Sequence, residues 1–250
     1  MRKTQLLALT ALFVTALYLL IIASNQSEPT LTLVGDLSFV IVSLCAFLAT
    51  LLVWKKIPHS FTQEKNAWLL TSIAFFLFMV GDALWAYAEL IQKTEVPVGG
   101  LPDVSWTSAY LIWIAACTLV RKDVFDPNPR KKFIFAACAT LAAVWPLLHI
   151  PAIRAEGAYH LFNVLYVSYD LLLLGLMLPL FLALLPNINR LSTPWLLFSV
   201  AVGTRIIFDI LFAASVAANT YATGHPIDLL YLISYIIITF AADAKRRLFP

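Results

Sequence analysis

An all-α, polytopic membrane protein is the fold class that three features of this 250-residue sequence predict. The chain is 61% hydrophobic and only 12% charged, against roughly 25% charged in an ordinary soluble domain. Eight apolar runs reach or approach the ~20 residues that a helix needs to cross a bilayer. Lys and Arg fall between those runs in a one-sided pattern. With a mean hydropathy of +0.86, the chain has too few polar groups to cover a globular surface. The lipid bilayer is therefore its first expected partner, and nothing points to nucleic acid. The alternation of about ten residues that marks transmembrane strands is missing.

The runs are 5–23, 33–54, 67–90, 104–120, 132–149, 162–185, 194–217 and 228–243. The first follows "MRK" and is longer than the apolar core of about 7–15 residues found in secretory signals, so it is expected to be a retained anchor helix. The second carries Asp36. The third carries Asp82 and Glu89 near its far end. The fourth begins just after Asp103, and the eighth begins at Asp228. The links between runs, such as "SNQSEPT", "KKIPHSFTQEKN", "VRKDVFDPNPRKK" and "LPNINR", are too short for a folded soluble domain. A single transmembrane domain over 1–250 is expected. Cys45, Cys117 and Cys138 all lie in apolar runs, with neither a disulfide pattern nor zinc-type spacing.

Orientation follows from the positive-inside rule. With the N-terminus placed in the cytoplasm, fourteen of the seventeen Lys and Arg residues fall on the cytoplasmic side. Only Lys93 and Arg154 fall outside, and Arg205 lies within a helix. Eight spans in a bacterial or archaeal cytoplasmic (plasma) membrane, with both termini cytoplasmic, are expected.

The runs also repeat. "WLLTSIAFFLFMVGDALWA" at 68–86 matches "WLLFSVAVGTRIIFDILFA" at 195–213, with Trp68 and Trp195 each fourteen residues before an aspartate, Asp82 or Asp209. "PDVSWTSAYL" at 102–111 matches "IDLLYLISYI" at 227–236, aligning Asp103 with Asp228, Trp106 with Tyr231 and Tyr110 with Tyr235. The two offsets, 127 and 125 residues, agree on one duplication of four helices, approximately 5–120 and 132–245. Four is even, so the copies share one orientation, a parallel repeat. Asp36 and Asp170 form a weaker third match.

Acidic groups inside a membrane are costly and mark sites. At 1.5 Å per residue, Asp82 and Asp209 fall in the outer third of the bilayer. Asp82, Trp85, Ala86 and Glu89 share one α-helical stripe. Its counterpart holds Asp209, Phe212, Ala213 and Val216, so Glu89 has no charged twin. Arg205, one turn before Asp209, aligns with apolar Phe78; it is expected to neutralise Asp209 or Asp82, or else to hold an anionic ligand. Asp103 and Asp228 suit helix N-termini, where a carboxylate accepts backbone N–H bonds. Tyr110 and Tyr235 lie about two turns deeper. The expected ligand-binding set is therefore Asp82, Trp85, Glu89, Asp103, Tyr110, Arg205, Asp209, Asp228 and Tyr235. No cofactor is implied. A metal site from His149, His160 and His225 with Glu156 or Asp228 lacks supporting ligand spacing. Phosphate-binding loops, nucleophile elbows and His-Glu-x-x-His are absent from the sequence, and no late helix carries the lysine of a retinal protein.

"GDALWAYAEL…VPVGGLPDVSWTSAYL" and "FDILFAASVAANTYATGHPIDLLYLISY" resemble the N-terminal membrane region of bacterial diguanylate cyclases and membrane histidine kinases, over 67–120 and 195–244. The resemblance implies a sensory or anchoring module in which Asp82, Trp85, Asp103, Tyr110, Asp209, Asp228 and Tyr235 are shared positions. A small-molecule or lipid ligand and a cytoplasmic or membrane signalling partner would follow. The cyclase or kinase output signature does not appear in these 250 residues. "VGDALW" and "IIFDILFA…LISYI" also resemble lysoplasmalogenase-type membrane hydrolases, which would make Asp82 and Asp209 an acid/base pair. A small-solute transporter is the third expectation, since parallel repeats and intramembrane charges suit that class too.

Overall fold

The computed structural model describes residues 2–24, 26–94, 96, 99–124, 129–150, 158–218 and 220–249. Among them there is no strand. Eight long helices carry the chain: α1 (Lys3–Ala23), α2 (Glu28–Lys56), α3 (Thr62–Ala86), α4 (Leu101–Val124), α5 (Pro129–Leu148), α6 (Ala158–Leu184), α7 (Thr193–Ala217) and α8 (Asp228–Arg246). A π-helical turn, Tyr87–Gln92, continues α3.

Helix boundaries follow local chemistry. Pro29 and Pro194 occupy the first turns of α2 and α7, where a missing N–H costs nothing. Asn189 turns the chain into α7 by accepting the N–H groups of Leu191 and Ser192 at 2.8 and 3.0 Å. Lys55 and Lys56 close α2, and Lys245 and Arg246 close α8, each pair beside the negative end of a helix dipole. The helices remain continuous through Pro146 in α5 and Pro179 in α6.

Among the described residues, six helical segments are long and apolar enough to cross a membrane: Lys3–Ala23, Glu28–Lys56, His59–Gln92, Leu101–Val120, Val164–Asn187 and Thr193–Val216. This is a membrane-compatible, all-helical chain. Two of the eight expected spans fall short of that measure. Lys132–Leu148 is a shorter apolar helix, and α8 carries Asp228, Asp243, Lys245 and Arg246 within 19 residues.

Six helices close into a ring in which each packs on the next: α2 on α3, α3 on α4, α4 on α6, α6 on α7, α7 on α8, and α8 back on α2. Outside the ring, α1 packs against α2 and α8, and α5 packs against α6. This order puts α3 opposite α7, so the two meet through large side chains. Trp68 and Trp195 lie 5.6 Å apart, ring centre to ring centre. Above them an aromatic plug fills the ring: Phe75 against Trp113 at 5.4 Å, Phe75 against Tyr235 at 5.6 Å and Phe78 against Tyr110 at 5.2 Å. Edge-to-face pairs of this kind add about 0.5–1.5 kcal/mol each beyond area burial. Lipid is as apolar as leucine, so close packing of this kind is what favours helix association inside a bilayer. The outward faces are correspondingly apolar, with Phe13, Leu20, Leu111 and Ile207 all exposed.

The end of the bundle nearest Trp68 and Trp195 is closed by ions. Lys245 pairs with Glu64 and sits 5.6 Å over the Trp195 ring. Asp243 accepts from Thr4 at 2.6 Å and pairs with Arg247.

Candidate functional site

At the other end of the ring lies a cavity of about 190 Å³. Of the expected binding set, Asp82, Trp85, Asp103, Tyr110, Arg205 and Asp209 line it. Their joint presence follows from the ring order, which brings the ends of α3 and α7 and the start of α4 to one place.

Asp82 is 4% exposed. Its Oδ1 accepts hydrogen bonds from the Tyr231 hydroxyl and, at 3.2 Å, from the Trp106 indole N–H. The Tyr235 hydroxyl, with one proton to give, lies 3.4 Å from Oδ2 and 2.9 Å from the Tyr231 hydroxyl. The residue before Asp82 explains how Trp106 arrives. A Cβ on Gly81 would stand 2.3 Å from the Trp106 Nε1, so only glycine leaves room for the indole. Gly81→Ala should push Trp106 off Asp82 and cost about 1–3 kcal/mol through overpacking. A lowered melting temperature with altered tryptophan fluorescence is the expected readout.

Asp209 faces the same space from α7. Tyr110 donates to its Oδ2, and the Arg205 Nε lies 3.2 Å from the same oxygen. Arg205 also donates to the Tyr110 hydroxyl at 3.0 Å. The Arg205 guanidinium rests over the rings of Tyr231 at 4.1 Å and Phe78 at 4.8 Å. It therefore lies between the two aspartates: its Nε meets Asp209, and its face covers the tyrosine that serves Asp82. The alignment of Arg205 with Phe78 acquires a physical meaning here, because the cation of one helix stacks on the ring of the other.

The two helix-start aspartates behave alike. Asp103 accepts the Gly99 N–H at 2.8 Å, and Asp228 accepts the Gly224 N–H at 3.0 Å. Both glycines have positive φ, 79° and 101°, which side chains other than glycine rarely adopt. This shared Gly-x-x-x-Asp spacing is legible in the sequence. Each aspartate also takes phenolic donors: Tyr166 on Asp103 at 2.7 Å, and Tyr18 and Tyr221 on Asp228 at 3.0 and 3.1 Å. Burial and the Asp228 carboxylate hold the Tyr221 hydroxyl in its protonated form, with its pKa raised well above the usual value.

Three expected site residues do not line the cavity. Asp228, fully buried, is enclosed by the Gly224 N–H and the two tyrosines. Tyr235 lies beneath the cavity as a support for Asp82 and Tyr231. Glu89 leaves the stripe of Asp82 altogether. It accepts from Thr223 at 2.7 Å, on the connection between α7 and α8, and its carboxyl meets that of Asp36. Glu89 lies within the π-helical turn Tyr87–Gln92, whose larger number of residues per turn departs from the regular α-helical phase.

Other cavity residues were not in the expected set. Tyr166 and Asp170, one turn apart on α6, both line it, as do Phe39, Phe162, Phe208, Phe212, Tyr221 and Tyr231. The spacing of Tyr166 and Asp170 on one face was the available signal. Among the described residues no group of three His, Cys, Asp or Glu could hold a metal ion; Glu156 and the His160 side chain of the weighed metal site lie outside them. Comparison of the chain with family models, curated proteins and solved structures finds no match.

Proposed function

We propose that this protein is a membrane-embedded ligand-binding sensor whose cavity opens to the outer side of a bacterial or archaeal cytoplasmic membrane and which signals to a separate partner. The observation that carries this reading is the cavity itself. Among the described residues it is lined by aromatics, four aspartates and one buried arginine, and held by bonds that join opposite sides of the ring. A ligand that rearranges the Arg205–Asp209–Tyr110 contacts also disturbs Asp82, because Arg205 covers Tyr231. α3 and α7 run from that point to the Trp68–Trp195 contact and the Glu64–Lys245 pair at the far end. Those helices are the proposed route of the signal.

The reading includes eight spans with both termini cytoplasmic and two parallel four-helix repeats. Exchange of α1–α4 with α5–α8 maps the six ring contacts onto themselves and maps the α1–α2 packing onto α5–α6. The matched tryptophans meet at the ring centre, and the Tyr110 and Tyr235 hydroxyls each reach the aspartate of the other half. The Lys and Arg bias supports a cytoplasmic Glu64–Lys245 end.

The hydrolase reading, with Asp82 and Asp209 as acid and base, draws support from the shared cavity. It is the weaker reading because the Asp82 oxygens are already engaged by Tyr231, Trp106 and Tyr235. Purified protein screened against small molecules and lipids should show a ligand that raises the melting temperature, with the rise lost in Arg205→Lys, which removes the planar stacking group. Turnover of a lysophospholipid that disappears in Asp82→Asn would replace the sensor with the hydrolase.

A further inference from the structure

The cavity holds more acid than base. Asp82, Asp103, Asp170 and Asp209 all line it, and Arg205 is the one cation among the described residues that do. The tyrosine, tryptophan and backbone donors described above relieve the desolvation of three of these carboxylates but carry no charge. Buried charge calls for a counter-charge. Asp170 makes the deficit concrete. It is 4% exposed, faces the cavity, and its Oδ1 has no hydrogen-bond partner. Its carboxyl meets that of Asp209, a like-charged group with which it can share at most one proton, and the nearest cation is Arg205. Arg205 brings one positive charge to four carboxyl groups, and its Nε is engaged by Asp209 and Tyr110.

The walls carry the second clue. Trp85 and Trp106 lie 5.6 Å apart, Phe212 and Tyr221 4.6 Å apart, and Phe208 and Phe212 5.7 Å apart. Aromatic faces around a space attract an organic cation, and a desolvated site strengthens that attraction. A bare metal ion fits poorly, because phenolic and indole hydrogens already point at the Asp82 and Asp103 oxygens. The space of about 190 Å³ lies below the ~300–1,000 Å³ of drug-sized ligand sites, which suits a small group.

We propose that the cavity binds a small organic cation, an amine or quaternary ammonium group, seated against Asp170 and enclosed by the aromatic walls. The inference rests on the ligand-binding reading above and names its ligand class. Such a group exists as a free solute or as the headgroup of a zwitterionic lipid.

The test uses the purified full chain in phosphatidylglycerol nanodiscs, with tetramethylammonium chloride as probe and sodium chloride at equal ionic strength as control. The expected result is a melting temperature about 5–10 °C higher at a hundredfold excess over Kd, with no rise in sodium chloride. Asp170→Asn should melt no lower than the parent and weaken the apparent affinity for tetramethylammonium at least tenfold. Phosphatidylcholine nanodiscs separate the sources. A rise there that leaves free tetramethylammonium without further effect assigns the site to a lipid headgroup; an undiminished response to the free cation assigns it to a solute. A response unchanged in Asp170→Asn overturns the proposal. So does a rise with acetate or inorganic phosphate and none with either cation source, which would leave the ligand-binding reading standing. Silence with every compound overturns both.

Discussion

Arg205→Met should lower stability by about 3–5 kcal/mol, the range seen when one partner of a buried ion pair is removed. Arg205 is 5% exposed and lies between two acidic centres. Its loss leaves Asp209 with Tyr110 as its remaining hydrogen-bond donor and removes the cation over Tyr231. The double variant Arg205→Met with Asp209→Leu should recover most of the loss, because the uncompensated charge goes as well. The coupling is read from a double-mutant cycle of unfolding in detergent. If the double variant is no better than Arg205→Met, the guanidinium acts through its aromatic stacking and not through Asp209.

The second large effect is at Asp82, and the choice of replacement decides it. Asp82→Leu strands the hydroxyls of Tyr231 and Tyr235 and the indole N–H of Trp106. A buried donor left unpaired costs about 1–3 kcal/mol, so Leu should cost several kcal/mol in all. Tyr235 can still donate to Tyr231, which limits the sum. Asp82→Asn keeps a carbonyl oxygen for Tyr231 and Trp106 and should cost about 1 kcal/mol. Thermal unfolding of the two variants side by side checks the prediction. Equal losses would mean that the charge of Asp82, not its acceptor geometry, is what the fold uses.

Much of this arrangement could be read from the residues. The duplicated Trp–Asp spacing placed Asp82 and Asp209 at matching positions, and both now line one cavity. Asp103 and Asp228 lie at helix starts as helix-terminus chemistry suggests, but each sits inside the first turn and accepts the N–H of a glycine four residues upstream instead of capping its own helix. Glu89 was placed by an α-helical phase carried through a segment that is π-helical, and nothing in "AYAELIQ" announces the wider turn. Tyr166 and Asp170 were passed over because a polar pair in the sixth run gives no hint of which helix it will face. The packing of α6 on α4, like that of α2 on α8, joins segments far apart in the chain, and periodicity carries no information about it. That closure of the ring is what turns scattered acids into one cavity.

The bonds around Asp82 also set a timetable for synthesis. Trp106 follows it by 24 residues, but Tyr231 and Tyr235 follow by 149 and 153. At about 5–20 residues per second, the aspartate is made roughly 7–30 s before its phenolic donors. For that interval the nascent helix carries an acid that its final neighbours cannot yet shield. A chain stopped after α7 would lack Tyr231 and Tyr235 altogether, so the last helix completes the bonding of the third.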